Sequence, residues 1–339
     1  MTLDLLWYLV LITALVCYAM LDGFDLGVGS LHLFTKKDQE RRLFINSIGP
    51  LWDGNEVWMV IVVGALFAGF PEVYGTLLSG FYNVIMLLLA GYIFRAVAIE
   101  FRSKRPSLGW RFNWDRVFSF ASIVIAFGIG LILGNLVEGM PLDADKAYTG
   151  TIAQLFRPYP ILVGFTTLSL LTMHGSIYLA MKTEGPLHDK VRSWINRCIL
   201  VFIAFYVITT ITTLFTQPHM VENMKNLGWL FLVPVAALLA IANIPFQMRK
   251  QNEGWAFISS CLAISLLLSL FAIGTFPILI RSTVDPEHHS LTIANSASSP
   301  LTLKVLLIIV AIGLPLVFFY GIYIYRIFRG KVKLDEHSY

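Results

Sequence analysis

Residues 5–33 read LLWYLVLITALVCYAMLDGFDLGVGSLHL, an apolar run interrupted near its end by two aspartates. About 20 mainly apolar residues in a helix suffice to cross the hydrocarbon of a bilayer. This run is longer, and it carries Asp22 and Asp25 inside it. A spanning helix with acidic side chains needs protein neighbours, because lipid cannot satisfy them. No Lys or Arg precedes the run and no small-residue cleavage site follows it. It is therefore expected to remain as the first span, not to be removed as a signal.

The composition agrees. Of 339 residues, 57% are hydrophobic and 14% charged, and the mean hydropathy is +0.72. A soluble domain carries about 25% charged residues, so the surplus apolar surface must face lipid. The net charge of +4 gives no reason to expect nucleic acid as a partner, and 8 Trp and 13 Tyr suit interfacial belts. Cys17, Cys198 and Cys261 lie far apart in apolar stretches with no CxxC pair, which excludes a zinc ribbon or a disulfide framework.

Working outward, nine spans are expected: 5–33, 51–70, 76–100, 115–137, 160–181, 195–216, 228–248, 255–280 and 302–328. Together they make one integral membrane domain over 1–339, of all-α, polytopic class. The basic residues test this division. The first connection holds Lys36, Lys37, Arg41 and Arg42, and the third holds Arg102, Lys104, Arg105, Arg111 and Arg116. The fifth holds Lys182, Lys190, Arg192 and Arg197, the seventh Arg249 and Lys250, and the tail Arg326, Arg329, Lys331 and Lys333. The even connections hold only Lys146 and Arg157, Lys225, and Arg281. By the positive-inside rule the odd connections and the C-terminus face the cytoplasm, and the N-terminus lies outside.

Charged groups inside the spans need a reason, since each costs at least about 2.5–3.5 kcal/mol near the bilayer centre. Asp22 and Asp25 are spaced i, i+3 and share a helix face. The second span opens with GPLWDGNEVW at 49–58, where Pro50 suits a first turn and Asp53 and Glu56 repeat the spacing. The third span ends with Arg95 and Glu100. All six lie toward the cytoplasmic side, and one polar cluster is expected from them. Two readings of that cluster stand: mutual satisfaction of charges, or a proton path.

Gly23 and Gly27, and Gly128, Gly130 and Gly134, have the spacing of close helix contacts and not of a nucleotide loop. His188, His219, His288, His289 and His337 fall in connections or the tail. His32 and His174 fall within spans, where a bis-histidine haem is one reading and a satisfied imidazole among Thr172, Ser176 and Tyr178 the other. No other grouping suggests a metal.

DGFDLGVG (22–29) and GPLWDGNEVW (49–58), with YIFRAVAIEFR (92–102), HGSIYLAMKT (174–183) and NSASSPLTL (295–303), resemble the signatures of subunit II of cytochrome bd-type quinol oxidases. The resemblance is collinear over nearly the whole chain. It implies two four-helix bundles plus a peripheral helix, in the cell membrane of a prokaryote. It implies a complex that oxidises quinol, reduces dioxygen to water and takes protons from the cytoplasm, with this chain alone not catalytic. Haems b and d belong to the partner, subunit I, in a pseudo-symmetric heterodimer; a small single-helix accessory subunit is a further partner in such complexes. Asp25 and Asp53 match residues assigned to proton movement, and Asp22, Glu56, Arg95, Glu100 and His174 join the expected path, although Glu56 stands where some relatives carry Gln. Trp52 matches a tryptophan that lies beside a structural quinone in some members. A proton-coupled secondary transporter is the alternative for a chain with these carboxylates, but no inverted repeat accompanies them.

Overall fold

The computed structural model describes residues 2–334, so His337 lies outside the described residues. The helices are α1 (Leu3–Leu31), α2 (Asp38–Ile48), α3 (Trp52–Gly69), α4 (Pro71–Gly80), α5 (Tyr82–Phe101) and α6 (Leu108–Glu138). They continue as α7 (Pro158–Lys182), α8 (Gly185–Thr216), α9 (Glu222–Asn226), α10 (Leu232–Arg249), α11 (Glu253–Thr275) and α12 (Pro300–Ile327). Among the described residues, eight helical stretches are long and apolar enough to cross a membrane, and α2 with α3, bent by 51°, makes a ninth. The polytopic all-helical class expected from the sequence is the one observed.

The boundaries differ where local chemistry outweighs hydropathy. The first connection folds into α2, an amphipathic helix that buries Phe44, Ile45 and Ile48 and pairs Asp38, Glu40 and Arg41 with charges of neighbouring elements. Pro50 does not sit in the first turn of α3 as expected; it stands in the bend after Ile48, and α3 starts at Trp52. Lacking an N–H, Pro50 cannot extend the α2 ladder. The third span begins at Tyr82, six residues later than expected, and a separate short helix, α4, precedes it. Helix α6 starts seven residues early, capped by Ser107, whose Oγ accepts from Trp110 N. Helix α11 stops at Thr275 instead of 280, and a short antiparallel pair follows, β1 (Ile278–Ile280) with β2 (Leu291–Thr292). Pro277 explains the stop, because it cannot prolong the helix. Pro245 lies inside α10, while Pro234 falls in its first turn, where a missing N–H has no cost. The run before α12 caps that helix: Ser299 Oγ accepts from Thr302 N.

Helices α1, α3, α5 and α6 form one group and α7, α8, α10 and α11 the other; they meet where α7 packs on α1 and α6. Helix α12 lies outside both, against α1 and α3. The inner position of α1 decides the site. From Asp22 to Leu31 every residue of it is buried, the mark of a helix surrounded by protein. Close approach makes this possible. A Cβ on Gly27 would sit 2.0 Å from Leu171 O and 2.8 Å from Gly175 Cα of α7. Gly130 and Gly134 of α6 meet Val163 and Pro160 of α7 in the same way. The glycine spacings thus serve helix packing.

The odd connections and the tail gather at one end: Lys190 pairs with Glu40 at 2.6 Å, Arg102 with Asp38 at 2.6 Å, and Lys331 with Glu253 at 3.6 Å. The even connections gather at the other, where Met140 N donates to Arg281 O and Ser298 N to Gly69 O, both at 2.8 Å.

Candidate functional site

Asp22 and Asp25 leave α1 on one face, as their spacing requires, and both are almost fully buried, at 0% and 1% exposure. Arg95 of α5 reaches across and donates through Nη2 to Asp22 Oδ1 at 2.6 Å and to Glu56 Oε2 of α3 at 2.8 Å. Asn55, one residue before Glu56, donates through Nδ2 to Asp25 Oδ2 at 2.8 Å. Tyr325 of α12 donates to Asn55 Oδ1 at 2.9 Å. One helical turn before Asp22, Tyr18 shares a 2.6 Å hydrogen bond with Tyr92, and the Arg95 guanidinium lies 5.8 Å from the Tyr92 ring. Four elements therefore converge on one polar group in the half of α1 nearer the basic end.

The charges do not balance. Three carboxylates, Asp22, Asp25 and Glu56, face a single guanidinium. In a low-dielectric interior, uncompensated charge is costly, and the group gains by holding a proton. Asp22 Oδ2, Asp25 Oδ1, Arg95 Nε and Arg95 Nη1 are buried and have no hydrogen-bond partner among the described residues. Buried polar atoms left open in this way are uncommon in packed structure and call for a partner such as a water; the basic end of the molecule leaves His32 Nδ1 and Arg102 Nη1 open as well. Glu56 is the most exposed of the three carboxylates, with its side chain 23% exposed.

The other expected members stand apart from this group. Asp53 lies in the first turn of α3 but is exposed. It shares an outer face with the exposed Val57, Val60 and Phe67. Trp52 is half-buried against the core. Glu100 is half-buried five residues beyond Arg95, which turns it about 140° around the helix at 3.6 residues per turn. His174 is fully buried, but its partners are Ser260 Oγ at 2.7 Å and Met20 O at 3.0 Å. Its ring stacks on Phe257 at 4.8 Å.

A second network went unread in the sequence. Asp115 of α6 accepts from His32 Nε2 and Arg102 Nε, each at 2.6 Å, and from Arg41 Nη1 at 3.2 Å. Arg102 and Arg111 both donate to Asp38, at 2.6 and 2.8 Å. This network ties α1, α2, α5 and α6 together at the basic end. His32 Nε2 is engaged by Asp115 and both nitrogens of His174 have protein partners, while His32 Nδ1 has none among the described residues. Among the described residues no group of three or more His, Cys, Asp or Glu side chains is arranged to hold a metal ion. Asn55 and Tyr325 were also missed. Asn55 stands inside the quoted motif, and Tyr325 in the run YGIYIYRIF of the last helix.

A family model described as cytochrome bd terminal oxidase subunit II matches residues 3–328. The chain is 31% identical to cytochrome bd-I ubiquinol oxidase subunit 2 of Escherichia coli (strain K12), over 372 aligned positions covering 99% of this chain and 98% of that one. It is 33% identical to cytochrome bd ubiquinol oxidase subunit 2 of Bacillus subtilis (strain 168), covering 98% and 97%. Its fold is similar to a chain in the structure of bd oxidase from Geobacillus thermodenitrificans, with a TM-score of 0.77, 18% identity, and coverage of 97% and 99%.

Proposed function

Because the chain belongs to the cytochrome bd terminal oxidase subunit II family, we propose that it delivers cytoplasmic protons, through the group around Asp22 and Asp25, toward a haem-bearing subunit I. Its complex is a terminal quinol oxidase, coupling quinol oxidation to the reduction of dioxygen. Making water from dioxygen consumes protons where the haems stand, and that partner would hold haems b and d. What this chain's own residues would supply is a route.

The observation that carries the reading is the buried surplus of carboxylate around one guanidinium, with one oxygen of Asp22 and one of Asp25 left open. The basic connections orient the group toward the cytoplasm by the positive-inside rule, with the N-terminus outside and the C-terminus inside. The membrane is the cell membrane of a prokaryote, in keeping with the bacterial relatives. Glu56, part-exposed, would take up the proton. Arg95 pairs with Asp22 and Glu56 and so holds the carboxylates of α1 and α3 together. Asp25, oriented by Asn55, is the group free to be loaded. Asp53, exposed beside Val57 and Val60, suits a surface covered by the partner, since a carboxylate facing lipid at that depth is costly. His174 borders the route with its own partners, Ser260 and Met20, and Glu100 lies on α5 beyond Arg95. Trp52, half-buried at the same turn, offers an indole against which the ring of a structural quinone could lie; Trp52→Ala should then lower the quinone extracted from the complex. A small accessory helix would find its place among lipids on the partner's side.

The test is turnover of the purified complex. Asp25→Asn and Asp53→Asn should each slow oxygen consumption by about tenfold, near 1.4 kcal/mol in barrier, with the haem spectrum unchanged. Full oxygen consumption in both variants would overturn the reading, as would haem absorbance from this chain expressed alone. The transporter alternative has no observation in its favour, and the family match spans residues 3–328.

A further inference from the structure

We propose that Tyr325, on the peripheral α12, is a positioning residue for Asp25, acting through the side-chain amide of Asn55. The inference rests on the proton-delivery reading of the same site and extends it to a helix that otherwise faces outward. Of the residues of α12 only Leu303 is buried. Yet the Tyr325 hydroxyl turns inward, edge-on to Phe24 at 6.5 Å, and donates to Asn55 Oδ1 at 2.9 Å. Asn55 is 2% exposed, and its Nδ2 donates to Asp25 Oδ2 at 2.8 Å.

A carboxamide has a donor end and an acceptor end of nearly the same shape, so only its partners decide which way it points. With Asp25 ionised, the arrangement seen gives both ends of the Asn55 amide and the Tyr325 hydroxyl a partner, and Asp25 Oδ2 one as well. When Asp25 gains a proton, its O–H needs an acceptor, and Asn55 Nδ2 no longer faces a carboxylate. Turning the amide over lets Asp25 O–H donate to Asn55 Oδ1 and Asn55 Nδ2–H donate to Tyr325 Oη. A phenol both donates and accepts, so the same three residues are hydrogen-bonded before and after the proton arrives. A phenylalanine at 325 would leave one end of the amide unpartnered in either state, which a buried amide does at a cost.

What keeps Tyr325 in register is the segment after α12. Lys182 Nζ, at the end of α7, donates to Phe328 O at 2.6 Å, and Val332 N donates back to Lys182 O at 2.8 Å. Lys331 Nζ donates to Ala180 O at 3.0 Å and lies 3.6 Å from Glu253 of α11. Tyr325 is less than one helical turn before Phe328, so this strap fixes its height along Asn55.

The experiment is a double-mutant cycle on the whole complex, with haem absorbance as the assembly control. Tyr325→Phe should lower kcat for oxygen consumption about fivefold, the size of one net hydrogen bond, with KM for quinol unchanged. In the Asp25→Asn background, Tyr325→Phe should cause no further loss, because the group it positions no longer carries protons. Lys331→Met, which loosens the strap but leaves the phenol in place, should give a smaller loss that also disappears with Asp25→Asn. It serves as the second arm should Tyr325→Phe assemble poorly. Full turnover in Tyr325→Phe, or the same fractional loss in both backgrounds, would overturn the positioning role while leaving proton delivery standing. Full turnover in the Asp25→Asn single variant would also overturn the positioning role, and full turnover in Asp53→Asn as well would take the proton-delivery reading down with it.

Discussion

Arg95 is the residue on which the polar group depends, since one of its nitrogens serves two carboxylates, at 2.6 and 2.8 Å. Removing one side of a buried pair leaves an uncompensated charge and costs about 3–5 kcal/mol. Arg95→Met should therefore lower the temperature at which the detergent-solubilised complex loses its haem spectrum. Arg95→Met with Asp22→Asn, which removes both charges, should recover much of that loss; a double variant no better than the single one would mean that Asp22 is not the main partner. At this scale the sequence told part of the story. Asp22, Asp25, Glu56 and Arg95 were legible because each is a charge in an apolar span. Asn55 was not, because a neutral amide hardly disturbs hydropathy and stood between two louder residues. Tyr325 shares a short run with Tyr320 and Tyr323, and nothing in that pattern says which one points inward. Asp115 and Arg102 lay in a connection crowded with charge, where burial at 1% and 0% leaves no trace. Asp53 shows the opposite limit: its i, i+3 relation to Glu56 is real, but the neighbours of α3 decide which side is inside.

Among the elements, the crossing of α1 and α7 sets how deep the carboxylates sit. Gly27 and Gly175 touch backbone to backbone there, two residues beyond Asp25 and one beyond His174. A larger side chain must push the helices apart, and overpacking of this kind costs about 1–3 kcal/mol. Gly27→Leu and Gly175→Val should both reduce the yield of assembled complex, whereas Gly64→Ala, which meets nothing within 4 Å, should leave it unchanged. Equal yields across all three would show that α1 and α7 do not pack as described. Span positions were readable because length and apolarity are imposed by the bilayer. Breaks and extensions were not, because they follow local chemistry: Pro50 and Pro277 stopping helices, Ser107 starting one early, and α2 hiding its apolar face behind a charged sequence.

For the whole molecule, the two ends differ in charge, and that difference sets direction. A cysteine placed at Lys331 should react with a membrane-impermeant maleimide only in inside-out vesicles, and one at Asp145 only in right-side-out vesicles; the reverse pattern would put the polar group on the wrong side for cytoplasmic uptake. The division into two sets of four spans with α12 outside them followed from the family resemblance, not from the residues one by one, because packing between helices of similar hydropathy leaves little signature. The direct measurement of the central claim is proton uptake when the fully reduced complex meets dioxygen, followed with a pH-sensitive dye beside the haem absorbance changes. In Asp22→Asn and Asp25→Asn, electron transfer among the haems should begin at the normal rate while dye-detected uptake lags behind it. Uptake in both variants as fast as in the unmodified complex would contradict the account.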